Sequence, residues 1–292
     1  MDPSAVEKIV KIWNLAAPPI RPGASVMAVF RSKLPAGFGW SGMVQGATPE
    51  IVDLMITRGA GRVVAMDRFG EVIEAMRRLS SEDWSSVETL VDNWCNYRPE
   101  FERSFDIILC DGGGLFLPFP DGWQRLYEIT FRYLTEGGKT VFHVFAVSDD
   151  ALPFRDYYEE AIRRFDMERE WCSPEEQKRM FIRLTSEMKS ATWFRAVDAQ
   201  GMLMLDRISE AANFMKKDLW QRYPDGIIGQ VVDSIFGRPH SIVHEEAILV
   251  AAPPSRLVQP LLESIGFSVN VEPVQEPPEG AASYVVIAEK ES

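Results

Sequence analysis

The stretch Met43-Val44-Gln45-Gly46-Ala47-Thr48-Pro49-Glu50-Ile51 decides the fold. A short apolar run stops at a glycine and a helix start follows at once, with Thr48 in the capping position, Pro49 at the first helical position and Glu50 in the first turn. Ile51, Leu54 and Met55 then repeat at helical spacing until Arg58-Gly59-Ala60-Gly61 ends the helix. The same unit recurs downstream. Arg62-Val63-Val64-Ala65-Met66 runs into Asp67, and Val72, Ile73, Ala75, Met76 and Leu79 form the next helical face. Residues 86–91 read as a third strand ending at Asp92-Asn93, and residues 105–110 as a fourth ending at Asp111-Gly112-Gly113-Gly114. A helix over about 122–134 precedes a fifth strand over 139–146. Near-continuous apolar strands alternating with helices predict an α/β fold, a mostly parallel sheet covered on both faces.

The pattern breaks after Ala146. Residues 150–239 carry no clear strand before 201–205 and are rich in helix formers and aromatics. Their charge is distinct too: residues 151–240 carry net −1, against −5 for residues 1–150 and −6 for residues 241–292. From Glu246 the α/β pattern resumes, with a short strand at 247–251, a helix over 255–265 stopped by Gly266, and a closing β pair at 267–274 and 282–288. The simplest architecture is one α/β domain interrupted by a helical insertion.

Composition narrows the function. Among 292 residues, 46% are hydrophobic and 25% charged, which are ordinary globular values. A net charge of −12 argues against nucleic acid as a partner, because phosphate-backbone binders draw affinity from clustered Lys and Arg. No apolar run approaches the roughly 18 residues that cross a bilayer, so no membrane partner is expected. Cys95, Cys110 and Cys172 are widely spaced and match no metal-site pattern; the expectation is no metal, reduced thiols and a cytoplasmic location.

In an open parallel sheet ligands bind at the carboxyl ends of the strands. Those ends carry Gly46, Asp67, Asp92-Asn93 and Asp111-Gly112. Glycine admits a close backbone approach, and an acid after the second strand, 21 residues past Gly46, can accept both hydroxyls of a ribose. Asp, Asn and Gly also serve strand ends as mere turn formers. Four such positions in one topological place favour a nucleoside site. A dinucleotide is disfavoured: the loop lacks Gly-x-Gly-x-x-Gly, Pro49 removes an N–H, and Glu50 sets a negative charge where a phosphate would lie.

At this point the chain resembles the class I S-adenosylmethionine-dependent methyltransferases, and within them a branch with a Gly-x-Thr-Pro-Glu first loop, here Gly46-Ala47-Thr48-Pro49-Glu50. Ala65-Met66-Asp67-Arg68 resembles the branch's second-strand signature. Cys110-Asp111-Gly112-Gly113 with Pro118-Phe119-Pro120-Asp121-Gly122-Trp123 resembles the fourth, and the run from Gly137 through His143 to Phe145 the fifth. The branch usually has a basic residue where His143 stands. The resemblance implies a Rossmann-like fold binding S-adenosyl-L-methionine, with Gly46 facing the methionine part, Asp67 holding the ribose, and Asp92 and Asn93 flanking the adenine. Asp111 and Gly112 would sit by the amino-acid tail and the methyl group. Gln45, Thr48, Arg68 and Trp94 adjoin these positions and complete the expected cofactor set.

The implied organisation is an N-terminal helix and cofactor-covering segment at 1–39 and a Rossmann-like core at 40–149. A helical lid or substrate subdomain follows at 150–243, and 244–292 completes the α/β core. Methyl transfer from a sulfonium needs alignment more than acid–base machinery, so few catalytic groups are expected. His143 could act as base or be a hydrogen-bonded residue of the sheet. Tyr157 and Tyr158 open the insertion, where one could orient an acceptor while an inward-facing one packs the helix. Trp193, Phe194, Phe214 and Trp220 could line an acceptor pocket, though aromatics at helical spacing favour core. Arg21 could contact a carboxylate, but an exposed arginine in the proline-rich run Pro18-Pro19-Ile20-Arg21-Pro22 is the favoured reading. The leading expectation is methyl transfer to a small-molecule acceptor, and the sequence is compatible with a homodimer. The alternatives are an enzyme that cyclises S-adenosylmethionine itself with release of methylthioadenosine, and a non-catalytic adenosyl-binding protein.

Overall fold

The computed structural model describes residues 3–15, 21–145, 152–199, 202–236, 251–275 and 282–291. Strands β1 (Ser41–Gln45), β2 (Arg62–Asp67), β3 (Val87–Val91), β4 (Phe105–Asp111) and β5 (Leu134–Phe145) pair in parallel, and β6 (Phe267–Gln275) and β7 (Ala282–Lys290) complete the sheet. The order is β3-β2-β1-β4-β5-β7-β6, with β7 antiparallel to both neighbours. The register sets Val44 beside both Ala65 and Leu109, so three apolar strands stack at the centre. Chain order reverses at β1, placing a switch point between β1 and β4.

Helices bury both faces. On one, α2 (Ala24–Lys33), α3 (Pro49–Thr57) and α4 (Gly70–Leu79) pack Phe30, Ile51, Met55 and Met76 against Val44, Ala65, Leu109 and Val141. On the other, α5 (Asp121–Tyr133) and α10 (Ser255–Ile265) pack Trp123, Tyr127 and Leu262 against Met43, Ile108, Cys110 and Phe142. The pleat sends alternate residues of one strand to the two layers. A third core gathers in α6 (Phe154–Arg169), α7 (Pro174–Arg195), α8 (Leu205–Arg222) and α9 (Gly226–Phe236), around Tyr158, Phe165, Phe181 and Leu219. The N-terminal helix α1 (Pro3–Leu15) lies against α4.

Some boundaries differ from the sequence reading. β5 begins at Leu134, before Gly137-Gly138, because Leu134 pairs with Phe105 across a register irregularity in β4. In place of a strand at 201–205 there are two isolated bridges, Val197 to Leu203 and Met202 to Ala251. Apart from Ala251, the strand expected at 247–251 lies outside the described residues, as do Ala146 and the insertion's expected end near 243. Thr48 stands at the N-cap of α3, but its hydroxyl makes no capping bond; its carbonyl accepts from Ile51 and Val52. No described helix is long and apolar enough to cross a membrane.

Candidate functional site

The carboxyl ends of β1, β2 and β4 converge on one indole. Met66, one residue before the end of β2, presents its carbonyl to two donors, the N–H of Gly46 at 2.8 Å and Nε1 of Trp94 at 2.9 Å. Trp94 is thereby drawn from the turn after β3 to the sheet's switch point. Built onto Gly46, a Cβ would lie 3.8 Å from the Trp94 ring, and one on Gly113 would lie 3.0 Å from it. Gly46 has φ +97°, a conformation that disfavours any side chain, and apart from Trp94 nothing crowds it. A ligand can therefore approach that backbone closely.

Asp67 ends β2 beside this loop. Its Oδ1 accepts from the Phe69 N–H at 2.9 Å, and the Ala47 and Arg68 N–H groups also face the carboxylate. Burial pushes the carboxyl up to about 6, against the pull of those three amides. A partly desolvated acid served by backbone donors alone is suited to neutral hydroxyl donors. Arg68 is exposed and lies over Phe69, its guanidinium carbon 5.7 Å from the ring centroid.

At the end of β4 the geometry departs from expectation. Asp111 and His143 are partners in the β4–β5 register, and the pleat continues them from Leu109 and Val141, toward the face covered by α2 and α3. His143 Nδ1 lies 2.7 Å from Asp111 Oδ1, with both side chains buried. The carboxylate accepts only, so Nδ1 carries the hydrogen, and whenever the ring is neutral Nε2 is its acceptor. Nε2 is buried with no hydrogen-bond partner. The Phe145 ring meets the imidazole edge to face at 4.4 Å, and the Gly112 N–H donates to the His143 carbonyl at 3.1 Å. Asp111 thus serves an imidazole, and Gly112, at φ +71°, turns the chain tightly against Phe145.

Other members of the expected set are held by the protein. Asp92 accepts from the Asn93 N–H, Asn96 Nδ2 and Arg98 Nη1, each at 2.8 Å, and these bonds hold its carboxyl below the usual range. Asn93 Oδ1 accepts from the Cys95 N–H, so both residues shape the turn that delivers Trp94. Gln45 points to the opposite layer, where Nε2 donates to Thr130 Oγ1 at 3.0 Å while Oε1 is unpartnered. Thr48 is buried at the start of α3. Arg21 is neither an exposed linker arginine nor a contact at the strand ends. It ion-pairs with Glu50, which also accepts from Trp13 Nε1 at 3.4 Å, tying the N-terminal segment to the loop after β1. Nothing in the sequence marks Glu50 for that role except its place in the first turn of α3.

The insertion tyrosines part ways. Tyr158 is packed in the core of the helical layer and donates to Asp218 Oδ2 at 2.6 Å. Tyr157 is also buried, its ring under the Arg195 guanidinium at 4.4 Å and its hydroxyl unpartnered. Phe214 packs edge-on against Tyr158 and Trp220 is partly exposed, while the side chains of Trp193 and Phe194 lie outside the described set. The end of α7 reaches the strand-end region through a chain of backbone contacts: Val197 bridges Leu203, Met202 bridges Ala251, and the Ala251 N–H donates to Leu115, just past Gly112.

No family model matches the chain, and no curated protein matches its sequence. Solved structures do match. The N-methyltransferase NodS from Bradyrhizobium japonicum WM9, in complex with S-adenosylhomocysteine, is similar over 99% of this chain and 98% of its own, with TM-score 0.52 at 10% identity. The 1,6-didemethyltoxoflavin-N1-methyltransferase of Burkholderia thailandensis is similar over 99% of this chain and 85% of its own, with TM-score 0.52 at 14% identity. The CMeT domain of the citrinin polyketide synthase is similar over 100% of this chain and 58% of its own, with TM-score 0.51 at 15% identity. With its seven-stranded sheet and one antiparallel strand, the chain has the Rossmann-like fold of the class I methyltransferases.

Proposed function

We propose that the chain binds S-adenosyl-L-methionine at the ends of β1, β2 and β4 and transfers its methyl group to a small-molecule acceptor. The observation that carries this reading is the presence, at one end of one sheet, of an uncrowded glycine loop, a partly desolvated acid and a buried imidazole with a free acceptor nitrogen. The residues present fit an adenosyl group. Asp67 offers a carboxylate without a cation to ribose hydroxyls, Gly46 leaves its backbone open, and Trp94 sets an indole beside Gly46. When bound, the sulfonium supplies a methyl carbon already activated for transfer.

The chain's own residues then have three tasks. Gly46 and Asp67 hold the nucleoside end. His143 Nε2 takes the proton of an acceptor hydroxyl as the new bond forms, or that of an ammonium before its freed lone pair attacks the methyl carbon, and Asp111 fixes the tautomer that makes Nε2 the base. The segment tied down by Trp13, Arg21 and Glu50 helps to exclude water at the loop after β1. Tyr157, whose ring packs beneath Arg195, is the candidate acceptor-orienting residue of the insertion, whereas the bond from Tyr158 to Asp218 gives Tyr158 a packing role. Small-molecule and not nucleic-acid acceptors agree with the net charge of −12.

Chromatography of the nucleoside formed from S-adenosylmethionine, with a panel of small amine and hydroxyl acceptors, tests the reading. Acceptor-dependent S-adenosylhomocysteine is the expected product. Acceptor-independent methylthioadenosine would replace methyl transfer with cyclisation.

A further inference from the structure

Two charged residues of α6 and two of α7 line a cavity of about 270 Å³ between these helices. Arg164 and Glu168 stand four apart on α6, and Arg183 and Glu187 four apart on α7. That spacing ordinarily closes an ion pair on each helix. Here none of the four side chains makes a hydrogen bond or ion pair with another described residue, and Arg164 Nε is buried with no acceptor. Tyr157, two turns before Arg164 on α6, is only 3% exposed, its hydroxyl is unpartnered, and Glu187 and Arg164 are among its charged neighbours. Burial raises the Glu187 carboxyl despite the two arginines beside it.

Glu168 and Arg183 are exposed, but Arg164 and Glu187 are half-buried, and a buried guanidinium nitrogen without an acceptor is costly; a third body in the shared cavity would supply that acceptor. The sign pattern restricts that body. An anion would satisfy the arginines and leave the carboxylates facing it; a cation would do the reverse. A zwitterion satisfies both. The rest of the wall is apolar, from Phe165, Met180 and Leu184. The volume falls just below the roughly 300–1,000 Å³ of sites for drug-sized ligands, so the occupant is small.

We propose that the cavity between α6 and α7 binds a free apolar α-amino acid, with its carboxylate on Arg164 and Arg183, its ammonium on Glu187 and its side chain against Phe165, Met180 and Leu184. Glu168 closes the acidic side. None of these contacts depends on the adenosyl reading, and the two stand or fall separately.

Calorimetric titration of the full chain with L-leucine and L-methionine is the test, with N-acetyl-L-leucine lacking the ammonium and L-leucinamide lacking the carboxylate as controls. Saturable binding of a free amino acid is expected, weakened at least tenfold in each blocked derivative and in Arg164→Gln and Glu187→Gln. S-adenosylhomocysteine binding by the variants should match wild type, which separates this site from the strand ends. The proposal is overturned if neither amino acid binds, if the blocked forms bind as well as the free ones, or if both folded variants retain wild-type affinity. The blocked derivatives act on wild-type protein, so the test stands even if a variant does not fold.

Discussion

His143→Ala is expected to lower kcat by about 10²–10⁴-fold for an acceptor that must lose a proton, while the affinity for S-adenosylhomocysteine stays within about twofold of wild type. The imidazole is the buried nitrogen base among the described residues at the strand ends with an acceptor atom left over, and the bond to Asp111 decides which nitrogen that is. Removing the ring takes away the base without touching Gly46 or Asp67. Single-turnover rates on saturated enzyme check the kcat effect, and free imidazole should restore part of the lost rate. Asp111→Asn should also slow turnover, because an amide can donate to Nδ1 and favour the tautomer whose hydrogen sits on Nε2. Unchanged kcat in His143→Ala would reduce the pair to a structural link between β4 and β5.

Trp123→Ala is expected to cost about 3–5 kcal/mol of stability, the range for truncating a buried aromatic. Trp123 has no exposed surface and packs among Phe119, Tyr127 and Phe142, with ring centroids at 5.8, 5.9 and 6.1 Å. The indole also lies flat on Gly114, where a Cβ would come within 2.8 Å of it, so it seats the loop that follows Asp111 and Gly112. At roughly 2–4 °C per kcal/mol for large domains, thermal unfolding should fall by on the order of 10 °C. A shift of only a degree or two would mean that the layer between α5 and the sheet refills the space.

The central strands β1, β2 and β4 were legible because each is buried on both faces and so shows as a mostly apolar run between turn residues, whereas the edge strand β3 is largely exposed. The helix starts were legible from Pro49 and from Asp121-Gly122. The start of β5 was not, since Gly137-Gly138 reads as a break and only pairing with Phe105 carries the strand back to Leu134. Topology alone placed Gly46, Asp67 and Asp111 at strand ends. Which way each side chain points depends on pleat parity, and a run of apolar residues does not reveal it. Gln45 consequently faces Thr130 in the layer of α5. Asp111 meets a residue 32 positions away that only the β4–β5 register brings alongside. Asp92 and Asn93 look like ligand groups in the sequence because turn formers and nucleoside ligands use the same chemistry. Charged residues four apart on α6 and α7 look like solvated helix faces until the two helices are seen to share a cavity.

Calorimetric titration with S-adenosylhomocysteine, on wild type and Asp67→Ala, tests the central claim most directly. The ribose hydroxyls would hydrogen-bond the ionised carboxylate, whereas burial holds the acid in the ligand-free protein up at about 6. Wild-type affinity should therefore rise between about pH 5 and about pH 7.5 and then level off, with protons released on binding at the lower end. Asp67→Ala should bind at least about tenfold more weakly and lose that pH dependence. An Asp67→Ala protein that binds as wild type does, or a wild type that takes up no S-adenosylhomocysteine at millimolar concentration, would contradict the account and leave the class I methyltransferase fold without the adenosyl site.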